Sequence, residues 1–161
     1  MLEAGLNPLE YMTYVPDRYV MGRDNVTGKF VIPNGITRIG EEAFSTCYYL
    51  TDVIIPNSVK IIDGGAFSFC HGLKVMTIPD NVTTVGEFLF RGCNNLKGVI
   101  LSSNLTTLPY FTFAYCSMLE SVTLGPNLDK IEAHIFVDCE RMHVLKYRGT
   151  QEQWNAIEKD H

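Results

Sequence analysis

The side chains best suited to chemistry are five cysteines, Cys47, Cys70, Cys93, Cys116 and Cys139, each 23 residues after the last. Thiols ligate zinc, close disulfides or act as nucleophiles. Zinc sites are built from close pairs such as Cys-x-x-Cys, and no two of these cysteines lie that near. Disulfides between successive members would leave one of the five unpaired. His71, His134, His143 and His161 fall at four different phases of the same interval, so they do not converge as ligands. Cys70 and His71 are adjacent in sequence, but neighbours in a turn point apart. No Ser, Asp or Glu column repeats beside them to complete a triad. Gly64-Gly65 reads as a turn, and no phosphate loop is present. The expectation is no catalytic residue, no metal, no cofactor and no enzyme. The cysteines read instead as a ladder of small buried thiols filling the turn after a core phenylalanine.

The elements that hold this ladder share its period. Phe44, Phe67, Phe90, Phe113 and Phe136 run three residues ahead of the cysteines. Further apolar columns are Leu50, Leu73, Leu96, Leu119, Met142; Val53, Met76, Val99, Val122, Leu145; and Ile32, Ile55, Ile78, Leu101, Leu124. Ile36, Val59, Val82, Leu105, Leu128 and Ile39, Ile62, Val85, Leu108, Ile131 complete the set. A unit of this length cannot bury its apolar side alone and must stack on copies of itself. Residues Leu50 to Ile55 alternate, with Val53 and Ile55 inward and Asp52 and Ile54 outward, which predicts a short strand in every coil. Such strands pair in parallel, and Pro33, Pro56 and Pro79 end them. Gly40 to Phe44 and its copies predict a helical turn on the opposite side, with Pro109 at a first-turn position. The sequence therefore predicts an α/β leucine-rich-repeat solenoid with a single curved parallel sheet.

The repeat Ile-Pro-x-x-Val-x-x-Ile-Gly-x-x-Ala-Phe-x-x-Cys-x-x-Leu-x-x-Val resembles the BspA-like, Treponema-pallidum-type leucine-rich repeat. The match is strongest over Ile32 to Val53 and Ile55 to Met76. It departs at Leu89 and Thr112 before the phenylalanine, at Leu101-Ser102 in place of Ile-Pro, and at Gly125, which moves the proline to Pro126. The resemblance implies a solenoid and a binding role, because the family consists mostly of surface-exposed or uncharacterised binding proteins. It implies no particular ligand.

Three segments follow within one domain: residues 1–31 as an N-terminal cap with a degenerate coil, 32–146 as five repeats, and 147–161 as a C-terminal cap. In the first, Val15, Val20 and Val26 take core columns, one extra residue is expected near Gly28, and Arg23 stands in the cysteine column. A short helix over Leu6 to Met12 is expected to cover that end. In the last, Thr150 and Gln153 form a capping-box pattern, and Trp154 and Ile157 are expected to close the final coil. The Tyr147-x-Gly-Thr-x-x-x-Trp154 ending also looks like the closing segment of many BspA-like chains.

The net charge of −5 excludes a phosphate-backbone binder, which needs clustered Lys and Arg. No apolar run reaches the roughly 18 residues of a membrane span. Met1 to Glu10 lacks the pattern of a signal peptide, so a cytoplasmic setting is expected unless a leader is missing. The sequons at Asn25, Asn81 and Asn104 matter only on secretion. The expected function is a non-catalytic module that binds another protein as a scaffold or inhibitor. The alternative is a fragment of an adhesin-like bacterial surface protein that binds host or extracellular protein.

The partner site is sought where the repeat varies on its outside. The outward strand positions Ile54, Val75, Thr77, Ile100 and Thr123 make an almost uncharged sheet face, with Lys29, Asp52 and Lys146 toward its ends. Such a patch with a polar rim marks an interaction site, although β-branched residues also favour strands for their own sake. Two alternatives are Phe88, Tyr110 and Phe111 on the far side, and the turn bearing Tyr48, Tyr49, Phe69 and Tyr115. Any of the three suits self-association as well as a second protein.

Overall fold

In the computed structural model, which describes residues 8–161, the 23-residue period is one turn of a solenoid carrying two strands. The longer set is β2 (Gly28–Val31), β4 (Leu50–Ile54), β6 (Val75–Thr77), β8 (Gly98–Ile100), β10 (Ser121–Leu124) and β12 (Val144–Tyr147). The shorter set is β1 (Tyr14–Val15), β3 (Arg38–Ile39), β5 (Ile61–Ile62), β7 (Thr84–Val85), β9 (Thr107–Leu108), β11 (Lys130–Ile131) and β13 (Glu158–Lys159). All pairing is parallel, and the register repeats: Val122 lies opposite Val99 on one side and Leu145 on the other. The solenoid is as the columns predict. The second, shorter sheet is an addition to the single sheet expected.

The helical turn expected after Ile39 and its copies is not helical. Two residues per coil sit in the left-handed region, Glu42, Gly65, Phe88, Phe111 and His134 in one column and Thr46, Phe69, Gly92, Tyr115 and Asp138 in the next. A left-handed residue stops an α-helix. The backbone donors instead reach the next coil: the N–H of Phe44 donates to Ala66, that of Phe67 to Leu89 and that of Phe90 to Thr112, at 2.8, 3.1 and 2.9 Å. Bonding between coils wins over bonding within one, because a coil is too short to nucleate a helix.

Inside this wall the phenylalanines stack. Phe44, Phe67, Phe90 and Phe113 are fully buried, with successive centroids 5.5 to 5.9 Å apart and planes within 15° of parallel. Each cysteine thiol donates to a backbone carbonyl in the preceding coil. Cys70 reaches Phe44, Cys93 reaches Phe67 and Cys116 reaches Phe90, at 3.0 to 3.1 Å. The cysteine column thus supplies a further donor to buried carbonyls, those of Phe44 and Phe90 already accepting from the N–H of Cys47 and Cys93. On the rim the side-chain amides of Asn81 and Asn104 do the same for Asn57 and Asp80.

Each ladder is interrupted once. In the shorter sheet, Asp63, Gly86 and Glu132 donate to Ile39, Ile62 and Leu108. The residue in that column between Gly86 and Glu132 is Pro109, which has no N–H to give Val85, so β7 and β9 do not pair. Pro109 therefore breaks a ladder and starts no helix, contrary to the sequence expectation. In the longer sheet β4 and β6 are not paired. On its opposite edge β4 slips register against β2 between Gly28 and Lys29, where Thr51 is left without a partner, and Gly28 lies at φ +70°.

At the N-terminus a single 3-10 turn over Pro8–Tyr11 buries Leu9 completely. The remainder of the helix expected over Leu6 to Met12 includes Leu6 and Asn7, which lie outside the described residues. At the C-terminus the capping box forms: Thr150 accepts from the N–H of Gln153 and donates its own N–H to Gln153 Oε1. The helix α1 is short, Gln151–Ala156, and hands over to β13, which extends the shorter sheet. Ile157 is buried and Trp154 half-buried, with its ring centroid 5.2 Å from that of Tyr147. The cap closes the last coil in part: Ile157 joins the core and Trp154 packs against it, while Leu145 remains 43% exposed.

Candidate partner-binding surfaces

Strand alternation sends the even and odd side chains of the longer sheet to opposite faces. Val53, Met76, Val99 and Val122 go into the core, while Ile54, Val75 and Ile100 stay exposed, Val75 at 63%. Thr77 is exposed as well, and Thr123 is half-buried. The unpaired seam between β4 and β6 opens a groove of about 500 Å³, lined by Ile54, Val75, Thr77 and Ile100 among others. Thr123 is not on it. Four of the five residues chosen from the sequence therefore meet in one depression.

Asp52, Asp80 and Arg148 also line the groove. The Ser103 backbone N–H donates to Asp80 at 2.9 Å and holds its carboxyl below the usual range. Arg148 reaches back from the last coil to donate to the Leu101 carbonyl at 3.0 Å, with Asp80 3.9 Å away. Exposed apolar side chains beside charges held in place are a composition that protein interfaces use. The seam itself was not legible in the sequence.

The far-side residues Phe88, Tyr110 and Phe111, expected to be exposed, are half-buried. Phe88 and Phe111 stack on one another at 5.3 Å, and Phe111 stacks on His134 at 5.2 Å. They share the first left-handed column, so they cover each other as the coils repeat. Of the tyrosine-bearing turn, Tyr48, Tyr49 and Tyr115 are exposed and Phe69 is half-buried. These residues do not gather into one patch. Tyr48 stacks on His71, while Phe69 and Tyr115 flank Arg91, whose guanidinium carbon lies 5.5 and 5.6 Å from their ring centres. Sequence reading missed Arg91, for want of a column to place it in.

All five thiols are free. Burial pushes Cys47 and Cys139 up to about 11 and drives Cys70, Cys93 and Cys116 still higher, the direction opposite to that of a nucleophile. Among the described residues no three His, Cys, Asp or Glu side chains gather as a metal site. No helix among them is long and apolar enough to cross a membrane.

A sequence profile for the BspA-type leucine-rich repeat region matches residues 18–143 in six copies. The crystal structure of the Treponema pallidum leucine-rich repeat protein superposes with a TM-score of 0.81 at 21% identity, over 92% of this chain and 66% of that one. A leucine-rich repeat protein from Eubacterium ventriosum gives 0.71 at 28% identity, over 73% of this chain and 32% of that one. One from Bacteroides ovatus gives 0.64 at 28% identity, over 91% and 43%. The chain thus spans just under two thirds of the first of these and less than half of the other two. No curated protein matches the sequence.

Proposed function

Because this chain belongs to the BspA-type leucine-rich repeat family, we propose that it is a non-catalytic binding module whose partner is another protein, held on the exposed face of the longer sheet. The observation that carries this reading is the groove over the β4–β6 seam. Ile54, Val75 and Ile100 are large, apolar and exposed there, and Asp52, Asp80 and Arg148 line the same groove. Leaving such side chains in water costs roughly 25 cal/mol for each Å² that a partner would cover. Those charges then select the partner and set its register.

The test separates binding from folding. Ile54→Lys with Ile100→Lys alters two surface side chains and should shift unfolding by no more than about 0.5 kcal/mol per site. The parent and this variant are used as bait in the source lysate, with captured proteins identified by mass spectrometry. A protein held by the parent and lost, by tenfold or more, with the lysine pair supports the sheet face. Retention by the lysine pair together with loss in Phe88→Ser with Phe111→Ser moves the site to the far side and overturns the reading. If this chain itself is the captured protein, the face is a self-association surface.

A further inference from the structure

The phenylalanine stack stops at a half-finished rung. Phe67, Phe90 and Phe113 each have a parallel ring on both sides. Phe136 has Phe113 as its one ring neighbour among the described residues, at 5.7 Å and 5° from parallel, and it is half-buried. At this end of the core a cavity of about 360 Å³ opens, lined by Ile131, Ile135, Phe136, Leu145 and Trp154 among others. Phe113 does not line it, which puts the cavity on the side of Phe136 that the stack leaves free. Its size and its apolar, aromatic walls are those of a small-ligand site.

Two further observations narrow the occupant. The charged side chains around the cavity are already engaged within the chain. Glu132 accepts from the Tyr110 N–H at 2.9 Å, and Asp160 lies 3.5 Å from Lys130 Nζ. Lys159 Nζ donates to the carbonyls of Trp154 and Ile157 at 2.8 and 3.1 Å. What enters is therefore selected by its apolar surface. The cavity also lies between two free sheet edges: β12 pairs only with β10 and β13 only with β11, and Leu145 of β12 and Lys159 of β13 both line it. An unpaired edge offers main-chain hydrogen bonds to another polypeptide, which a free small molecule cannot use.

We infer that this end cavity receives one uncharged aromatic side chain, phenylalanine first, from an extended segment of a partner protein laid along β12. Its ring takes the next rung over Phe136, continuing a stack whose spacing the core sets at 5.5 to 5.9 Å. A ring is preferred to an aliphatic chain of equal size because stacked rings attract beyond the area they cover. The site is independent of the sheet-face groove and stands or falls separately.

Trp154 lines the cavity and is the only tryptophan in the chain, so its fluorescence reports occupancy. The probe is the tripeptide acetyl-Gly-Phe-Gly-amide, with cyclohexylalanine and alanine counterparts and with toluene as the free ring. A saturable change in Trp154 emission is expected with the Phe peptide. It should be about threefold weaker with cyclohexylalanine, weaker again with toluene, and absent with alanine. Phe136→Leu keeps the wall apolar and should erase the preference for phenyl over cyclohexyl. Leu145→Phe, at a side chain already 43% exposed, narrows the cavity without touching the stack and should weaken the Phe peptide several-fold. That second variant carries the test if Phe136→Leu does not fold. Equal affinity for phenyl and cyclohexyl in the parent, a phenyl preference that survives Phe136→Leu, or affinity unchanged in Leu145→Phe would each overturn the inference. So would toluene binding as tightly as the peptide, or no saturable change at millimolar probe.

Discussion

The fourth and the last repeats carry the same columns and meet different fates. Phe113, Cys116 and Val122 are fully buried. One period later Phe136 and Cys139 are half-buried, and Leu145 is 43% exposed. Nothing in the side chains themselves accounts for this. In a solenoid a residue is buried by the coils on either side, and among the described residues the last coil is followed by α1 and β13 in place of a full coil. A column in the sequence therefore states where a side chain points, while its neighbours on both sides decide what that orientation contributes to stability.

The largest effect expected from this contrast is on pH. A buried thiol keeps its proton in the folded chain, whereas the unfolded chain releases it near the ordinary value of about 8.5. Between those limits the unfolded state binds fewer protons, so stability is intact below about pH 8.5 and falls as pH rises, by about 1.4 kcal/mol per pH unit for each such thiol. For Cys139 and Cys47 the fall levels off near 11, whereas for Cys70, Cys93 and Cys116 it continues higher. Urea unfolding from pH 7 to 10 should show the loss, with Cys93→Ala flattening the slope by one thiol. A slope unchanged in that variant would contradict the shielded ladder.

Next in size is the phenylalanine stack. Phe90→Ala removes a ring with parallel neighbours on both sides and should cost about 3–5 kcal/mol. Phe136→Ala, stacked on Phe113 alone at 5.7 Å, should cost less than half as much. Both variants should still melt in one transition, since each coil depends on the next. Equal losses would dissolve the contrast between middle and end.

How far this was readable from the sequence follows from the same logic. The core columns, the strand alternation and the capping box are set by local pattern, and each was legible. The turn wall was misread as helical because its donors bond the neighbouring coil, a partner 22 residues away in sequence. The Pro109 break was open to reading, since a missing N–H needs only a column to be noticed. The β4–β6 seam and the setting of Arg91 among the rings of Phe69, Phe88 and Tyr115 were not, as no repeating column marks either.

The C-terminal cap should have an intermediate effect. Ile157 is its only buried apolar side chain, and β13 pairs directly after it. Ile157→Ala should cost about 2 kcal/mol and raise alkylation of Cys139 before that of Cys93. A uniform rise across all five thiols would mean that the cap holds the whole stack and not the last coil alone.

The smallest effect is the sharpest test, because it sets two residues of one column against each other. Val122 and Leu145 are opposite one another in adjacent strands and both were read as core. Val122→Lys would bury an ammonium among apolar neighbours without a partner, and the chain should fail to fold at ordinary temperature. Leu145→Lys places the same group where the native side chain already meets water. Its flexible stem can lie along the end of the coil with the charge outside, so stability should change by no more than about 0.5 kcal/mol. Thermal melts and circular dichroism of the two variants decide the matter. If Leu145→Lys unfolds the protein as Val122→Lys does, the end of the solenoid is closed in solution, by a second copy or by a rearranged cap. Size-exclusion chromatography with light scattering would then distinguish the two, since only the first changes the mass.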